Sequence, residues 1–133
     1  MTTAVRFARF NVVGALGIGV QLLIVALLVD GLGIDPVVAT VLGISGAIVH
    51  NFAWHVRWTW RDRMQPGTSY IRAFIRFVGA NGVVSLIGSV LLMPVLLAAG
   101  MSAIAANFVA IIACGLLNFV LGNAVFRSTT HHT

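Results

Sequence analysis

The chain alternates between four long apolar runs and short polar segments. The runs cover about residues 10–29, 36–55, 74–97 and 103–126. Each is long enough for a helix to cross about 30 Å of hydrocarbon at about 1.5 Å per residue. A helix satisfies its backbone polar groups within one segment, which a bilayer requires because it holds no water at its centre. The pattern therefore predicts an all-α membrane protein with four transmembrane helices.

Turn and cap residues mark the ends of these runs. A tight polar turn over residues 30–35 is expected between the first two runs. Asp35 fits an N-cap and Pro36 the first helical position of the second run. Gly100 is expected to end the third run and Ser102 to cap the fourth.

Composition and charge agree with a lipid environment and give an orientation. The chain is 59% hydrophobic and 8% charged, whereas soluble domains carry about 25% charged residues. Its 133 residues suit one domain, 1–133. Basic residues that flank membrane spans favour the cytoplasmic side. The arginines lie before the first run, between the second and third, or after the fourth, which predicts cytoplasmic N and C termini: Arg6, Arg9, Arg57, Arg61, Arg63, Arg72, Arg76 and Arg127.

The second and fourth runs resemble each other at an offset of 67 residues. Both contain small residues every four positions, which lie on one helix face, and both reach an Asn-Phe pair, at Asn51 and Asn118. The first and third runs match less well, at an offset of 65, with Arg9-Phe10 and Arg76-Phe77 two residues out of that register. We predict two tandem, parallel helical hairpins. Generic packing seams would explain the small residues but not the shared Asn-Phe.

Catalytic patterns are missing from the sequence. It contains no Glu or Lys, three carboxylates (Asp30, Asp35 and Asp62) and one cysteine, Cys114, within an apolar run. These residues do not assemble into a known catalytic, metal-binding or nucleotide-binding motif. We therefore expect no enzyme activity, no cofactor, no metal and no nucleic-acid partner.

Neutral polar residues near the predicted cytoplasmic ends suggest a groove for a sugar-like head group. The candidates are Asn51, His55, Asn118 and Asn123, with Trp58 as a stacking platform. The alternatives are interhelical hydrogen bonds, worth about 0.6–2 kcal/mol each, and an aromatic belt at the membrane interface.

The arginines are candidates for phosphate binding because the planar guanidinium pairs with two phosphate oxygens at once. Arg57 and Arg76 come first, since they stand just outside the second and third runs. The alternative is a purely topological role with anionic membrane lipids. The full set of candidates is Arg57, Arg61, Arg76, Arg9 and Arg127.

The stretch from Asn51 to Arg61 resembles the signature that closes the second span of the GtrA-like family. Arg-Phe before Val-Gly is similar to that family's start, and the second Asn-Phe, ending in Phe126-Arg127, to its end. The resemblance covers about residues 6–127. The sequence departs from the family at His55, usually asparagine, at Val56, often basic, and at Trp60, usually phenylalanine.

The resemblance implies a bacterial inner-membrane protein that moves, or helps to move, polyprenyl-phosphate-linked sugars for O-antigen, teichoic acid or arabinan glycosylation. The matching residues are Asn51, Phe52, Arg57, Trp58, Arg61, Asn118 and Arg127.

Two other roles stay open. One is a non-transporting adaptor that recruits a membrane glycosyltransferase through the basic loop. The other is an exporter like the small multidrug resistance proteins, which the lack of a membrane-embedded Glu disfavours. Four helices are few for a transport path, so a homo-oligomer, with a dimer favoured, is expected.

Overall fold

The computed structural model describes residues 1–87 and 91–128, and within these ranges it contains helices and no strand. Two π-helical turns, Leu27–Gly31 and His55–Thr59, extend the first two helices, and a short 3₁₀ turn covers Arg61–Arg63. The predicted third span, 74–97, includes residues 88–90, which lie outside the described residues. The helices are α1 (Thr3–Ala26), α2 (Pro36–Trp54), α3 (Tyr70–Ile87), α4 (Met93–Ala98) and α5 (Ala103–Ser128).

The chain divides into two compact units, unit 1 (Met1–Asp62) and unit 2 (Arg63–Thr133). The division falls between the second and third apolar runs, so each unit holds one of the two predicted hairpins. The single-domain organisation expected from chain length stays a prediction.

Unit 1 contains two helical segments long and apolar enough to cross a membrane. Thr3–Gly31 has 29 residues and a mean hydropathy of 2.7, and Pro36–Thr59 has 24 residues and a mean hydropathy of 1.5. Only 11% and 17% of their apolar windows are buried. The core helix of a soluble protein would be mostly buried, so these exposed apolar surfaces indicate contact with lipid. Unit 2 contains a shorter apolar helix, Ile112–Arg127.

The junction between α1 and α2 confirms the predicted cap and corrects the start of the turn. The helix continues through Asp30 to Gly31 because the first left-handed residue is Gly33, with φ +65°. The Gly33 N–H then donates to the Val29 carbonyl at 3.1 Å. Asp35 Oδ1 accepts from the N–H groups of residues 37 and 38, at 2.9 and 3.2 Å, as an N-cap does.

Small residues bring α1 and α2 close together. Ala39, Gly43 and Ala47 are buried along one face of α2. A β-carbon at Gly43 would lie 3.0 Å from the Gln21 carbonyl oxygen. This face is therefore a packing seam, which was the alternative interpretation of the small residues.

In unit 2, the end of α4 and the start of α5 match the sequence predictions. Gly100 has a φ of +86°, and its N–H donates to the Leu97 carbonyl at 3.0 Å. The Met101 N–H donates to the Leu96 carbonyl at 3.2 Å, which completes a Schellman motif. Ser102 Oγ accepts from the N–H of residue 105 at 3.3 Å. Both predicted caps are confirmed.

The buried faces of α1 and α3 follow an offset of 67 residues rather than the 65 expected from sequence. Arg6 and Gly17 are buried in α1, and Ala73 and Val84, 67 positions later, are buried in α3. Gly82, which the offset of 65 matches to Gly17, is exposed. The offset of 65 matches glycines between the two runs, but a glycine pattern does not show which face of a helix is buried.

Candidate functional site

The π-helical turn His55–Thr59 shapes the end of α2. Its wide turn closes with the Trp60 N–H donating to the His55 carbonyl at 2.8 Å. His55, Val56, Thr59 and Trp60 are buried by this arrangement, while Arg57 stays exposed and Trp58 is half-buried. Such π turns are local insertions into an α-helix and are frequent at functional sites.

An aromatic cluster fixes this turn to α1. The rings of Phe10 and His55 stack at 5.0 Å with an interplanar angle of 9°, and the Trp60 ring lies 4.8 Å from His55. His55 Nδ1 and Thr59 Oγ1 share a hydrogen bond of 3.0 Å. With 2% of its surface exposed, His55 lies in a packed core, whereas the sequence assigned it to a polar groove.

Two arginines of α1 hold the chain that follows α2. Arg9 Nη1 donates to the Trp58 carbonyl at 2.9 Å, and the Arg9 guanidinium carbon lies 5.1 Å from the Trp58 ring centroid, within cation–π range. Arg6 Nη2 forms an ion pair of 2.7 Å with Asp62 Oδ2. Arg6 is buried, whereas the Asp62 side chain is 44% exposed.

These contacts border an open cavity of about 340 Å³, the unit 1 cavity, which is lined by Met1, Arg9, Trp58, Arg61 and Asp62. Arg6 neutralises the charge of Asp62, so Arg9 and Arg61 leave the cavity positive. The volume falls in the range of small-ligand sites, about 300–1,000 Å³. The lining offers guanidinium groups for an anion beside an indole ring that can stack on a sugar.

The structure separates two other unit 1 candidates from this cavity. Arg57 is exposed on the π turn and does not line it. Asn51 lies in α2, about one helical turn before the π turn, and its Oδ1 is 3.2 Å from His50 Nδ1. A β-carbon at Gly17 would overlap the Asn51 carboxamide, so this side chain occupies the close approach of α1 and α2.

Unit 2 holds the remaining candidates on α3 and α5. Asn123 accepts from Arg63 Nη1 through its carbonyl and its Oδ1, at 2.9 and 2.7 Å. Asn118 Oδ1 is buried and has no hydrogen-bond partner among the described residues. Arg76 and Arg127 are exposed. The described residues contain no group of three His, Cys, Asp or Glu side chains placed to hold a metal ion.

Sequence reasoning missed the parts played by Arg6, Asp62 and Arg63. One signal was available, because Asp62 is the single acidic residue among the five charged residues of positions 57–72. A lone acid among arginines is a natural ion-pair partner. The partner itself, 56 positions away in the chain, required the structure.

Comparison with curated proteins gave no match. The family described as GtrA/DPMS, transmembrane domain, matches residues 9–127. The match includes Arg9, Trp58 and Arg61 of the unit 1 cavity and reaches the end of α5. Together with the long, unburied apolar helices of unit 1, it shows that this helical membrane protein belongs to the GtrA/DPMS transmembrane-domain family.

Proposed function

We propose that the protein translocates a polyprenyl-phosphate-linked monosaccharide across the bacterial inner membrane, for glycosylation of cell-surface polysaccharides. Family membership supports a part in lipid-linked sugar translocation. The observation that carries the proposal is the unit 1 cavity, where Arg9 and Arg61 stand beside the Trp58 indole.

The proposal includes four membrane spans arranged as two tandem, parallel hairpins with both termini in the cytoplasm. Support comes from the segregation of the arginines and from the left-handed glycines Gly33 and Gly100, each followed two residues later by an N-cap. The unit 1 cavity then lies at the cytoplasmic interface, where the head group would be captured before it crosses.

The physical problem is the polar head group. The polyprenyl tail is soluble in hydrocarbon. Moving an unpaired polar or charged group out of water costs several kcal/mol of free energy, roughly 2–7 for a neutral hydroxyl. A polar path between helices lowers that cost while the tail stays in lipid. In unit 2, the buried Asn118 Oδ1 would accept a hydrogen bond from a sugar hydroxyl.

Arg9 and Arg61 take the leading phosphate-binding role in unit 1. Arg57, which the sequence placed first, is exposed outside the cavity lining. Arg9 is already oriented by the Trp58 carbonyl, which uses one of its five N–H donors. The remaining donors are available to phosphate oxygens, and the Trp58 ring gives the sugar an apolar face.

A liposome assay tests the proposal. Purified protein is reconstituted with a labelled polyprenyl-phosphate sugar, and an impermeant reagent reports the label in the outer leaflet over time. We expect exposure of the inner pool to accelerate with protein and to slow at least tenfold for Arg9→Gln/Arg61→Gln. Exposure equal to that of protein-free liposomes would overturn the proposal.

An adaptor that recruits a glycosyltransferase is the second candidate. It is favoured by the exposed side chains at the end of α2, where Arg57 is exposed and Trp54 is 45% exposed. Co-purification of a membrane glycosyltransferase that Arg57→Ala abolishes, without lipid translocation, would establish this role.

We also propose a homodimer, because four helices offer little room for a head-group path. Cross-linking in native membranes should give a band of twice the chain mass. A single-chain mass under conditions that preserve translocation would contradict it.

A further inference from the structure

The described lining of the unit 1 cavity includes one carboxylate, that of Asp62, whose side chain is 44% exposed. The neighbouring lining residues Arg9 and Arg61 supply cations, and Trp58 supplies an indole ring. An ionised carboxylate only accepts hydrogen bonds, and its charge repels a phosphate. Asp62 therefore suits a different part of a ligand from the part that the arginines bind.

Two arginines near the beginning of α1 hold this carboxylate and the indole in place. Arg6 and Arg9 are three residues apart, so they are neighbours on one side of the helix. Arg6 Nη2 donates to Asp62 Oδ2 at 2.7 Å, and Arg9 Nη1 donates to the Trp58 carbonyl at 2.9 Å. A hydrogen-bond acceptor and a stacking ring are thus oriented on the same cavity before a ligand binds, which lowers the entropy lost on binding.

The ion pair with Arg6 uses one of the two carboxylate oxygens. Among residues 1–87 and 91–128, Arg6 is the one side chain paired with Asp62, and it contacts Oδ2. The two oxygens of an ionised carboxylate can accept about four hydrogen bonds in total. Asp62 Oδ1 can therefore accept a hydrogen bond from a ligand in the cavity while the ion pair stays intact.

We infer that Asp62 determines specificity for the sugar, because its Oδ1 accepts a hydrogen bond from a sugar hydroxyl. In this arrangement the Trp58 indole stacks on the sugar ring, and Arg9 and Arg61 bind the phosphate. A phosphodiester has no proton to donate to a carboxylate, whereas each free sugar hydroxyl has one. The ligand class, a polyprenyl-phosphate sugar, rests on the proposed function.

A purely structural role for the ion pair would have a different consequence. Loss of either partner would then break the same contact, so Arg6→Met and Asp62→Asn would change ligand preference alike. A carboxylate that binds a hydroxyl is still present in Arg6→Met, where Asp62 is exposed enough to be hydrated without its partner. Only the removal of the carboxylate should then abolish the preference for a sugar.

Three lipid probes separate hydroxyl recognition from phosphate recognition. They are undecaprenyl phosphate esterified with glucose, with arabinose or with methanol, and the measured quantity is the affinity for each sugar lipid divided by that for the methyl ester. All three probes have the same tail and a single negative charge. A change in the charge of the cavity therefore alters their affinities alike and cancels in the ratio.

We expect Asp62→Asn to lower this ratio about five- to tenfold for at least one of the two sugars, because hydrogen bonds to an ionised acceptor are roughly twice as strong as those to a neutral one. Arg6→Met and the control Arg72→Gln should keep ratios close to that of the wild type. Arg6→Met/Asp62→Asn leaves no unpaired buried guanidinium and should show the same loss as Asp62→Asn. Thermal melting first identifies the variants that are folded at the assay temperature, and the double variant serves if Asp62→Asn is not.

Two results would overturn the inference. One is a folded Asp62→Asn or double-variant chain that keeps the wild-type ratio for both sugars. The other is an Arg6→Met chain that loses as much of the ratio as Arg6→Met/Asp62→Asn, which would assign Asp62 a structural role. A sugar preference that depends on the carboxylate, together with no translocation in liposomes, would support the inference and refute the proposed function.

Discussion

Arg9 on α1 holds Trp58 at two points, through a 2.9 Å hydrogen bond to its carbonyl oxygen and a guanidinium 5.1 Å from its ring centroid. The contact joins the beginning of α1 to the chain that leaves α2. It also aims a cation into the unit 1 cavity before any ligand arrives, so less side-chain entropy is lost on binding.

Replacement of Arg9 should weaken head-group binding in a graded way. Arg9→Gln removes the charge and most donors, and we expect affinity for a polyprenyl-phosphate sugar to fall about 10- to 100-fold, which is the loss of about 1.5–3 kcal/mol typical of a charged hydrogen bond. Arg9→Lys keeps the charge but not the planar fork of donors, so its affinity should lie between those of the wild type and Arg9→Gln. Titration in detergent, with Arg72→Gln as the control, checks this order of affinities. Equal affinities for the wild type, Arg9→Lys and Arg9→Gln would contradict it.

The Arg6–Asp62 ion pair should respond asymmetrically to mutation. Asp62→Asn takes the carboxylate from a buried guanidinium, whereas Arg6→Met leaves a carboxylate that is 44% exposed and can be hydrated. We expect Asp62→Asn to be the more destabilising, by about 1 kcal/mol, and the double variant to resemble Arg6→Met. Thermal unfolding measures the loss of stability in each variant. A larger loss for Arg6→Met than for Asp62→Asn would show that Asp62 does not stabilise buried Arg6.

Gly17 and Asn51 should behave as a coupled pair. A β-carbon at residue 17 overlaps the Asn51 carboxamide, so Gly17→Ala should displace that side chain and lower the unfolding temperature. Asn51→Ala removes the clash, and the double variant should regain part of the loss. A double-mutant cycle gives the coupling, expected at about 0.5–3 kcal/mol for residues in contact. Additive effects on the unfolding free energy would show that residues 17 and 51 are not in contact.

His55 should prove to be a packing residue. His55→Ala leaves a cavity between Phe10 and Trp60, and the expected loss of stability is about 2–4 kcal/mol, as for other large-to-small core changes. His55→Phe loses the hydrogen bond with Thr59 but keeps a ring in the stack, so it should lose less stability. Thermal melts compare the two, and equal losses would mean that the ring contacts contribute little.

Much of the fold follows from sequence because local chemistry dictates it. The helical membrane class, the caps Asp35 and Ser102 and the left-handed Gly100 depend on runs of residues that are adjacent in the chain. The first helical segment, Thr3–Gly31, ends later than predicted because Asp30 looks like a turn residue, although the first left-handed residue is Gly33. The π-helical turn His55–Thr59 was not predicted from the hydrophobic pattern.

The sequence proposed residue types for head-group binding but not their arrangement. Among the proposed residues, Arg9, Arg61 and Trp58 line the unit 1 cavity. Sequence could not rank Arg9 above Arg57, because the ranking depends on which side chains border the cavity. The buried position of His55 could not be derived from sequence for the same reason, since its stacking on Phe10 joins positions far apart in the chain.

The rate at which a polyprenyl-phosphate sugar crosses the bilayer in liposomes tests the central claim most directly. Wild type, Arg9→Gln/Arg61→Gln and Arg72→Gln are reconstituted at equal protein-to-lipid ratios, and an impermeant reagent follows the outer leaflet. Wild type and Arg72→Gln should expose the inner pool at similar rates, with the double variant at least tenfold slower. A double variant as fast as the wild type, or a wild type no faster than empty liposomes, would contradict translocation through this site.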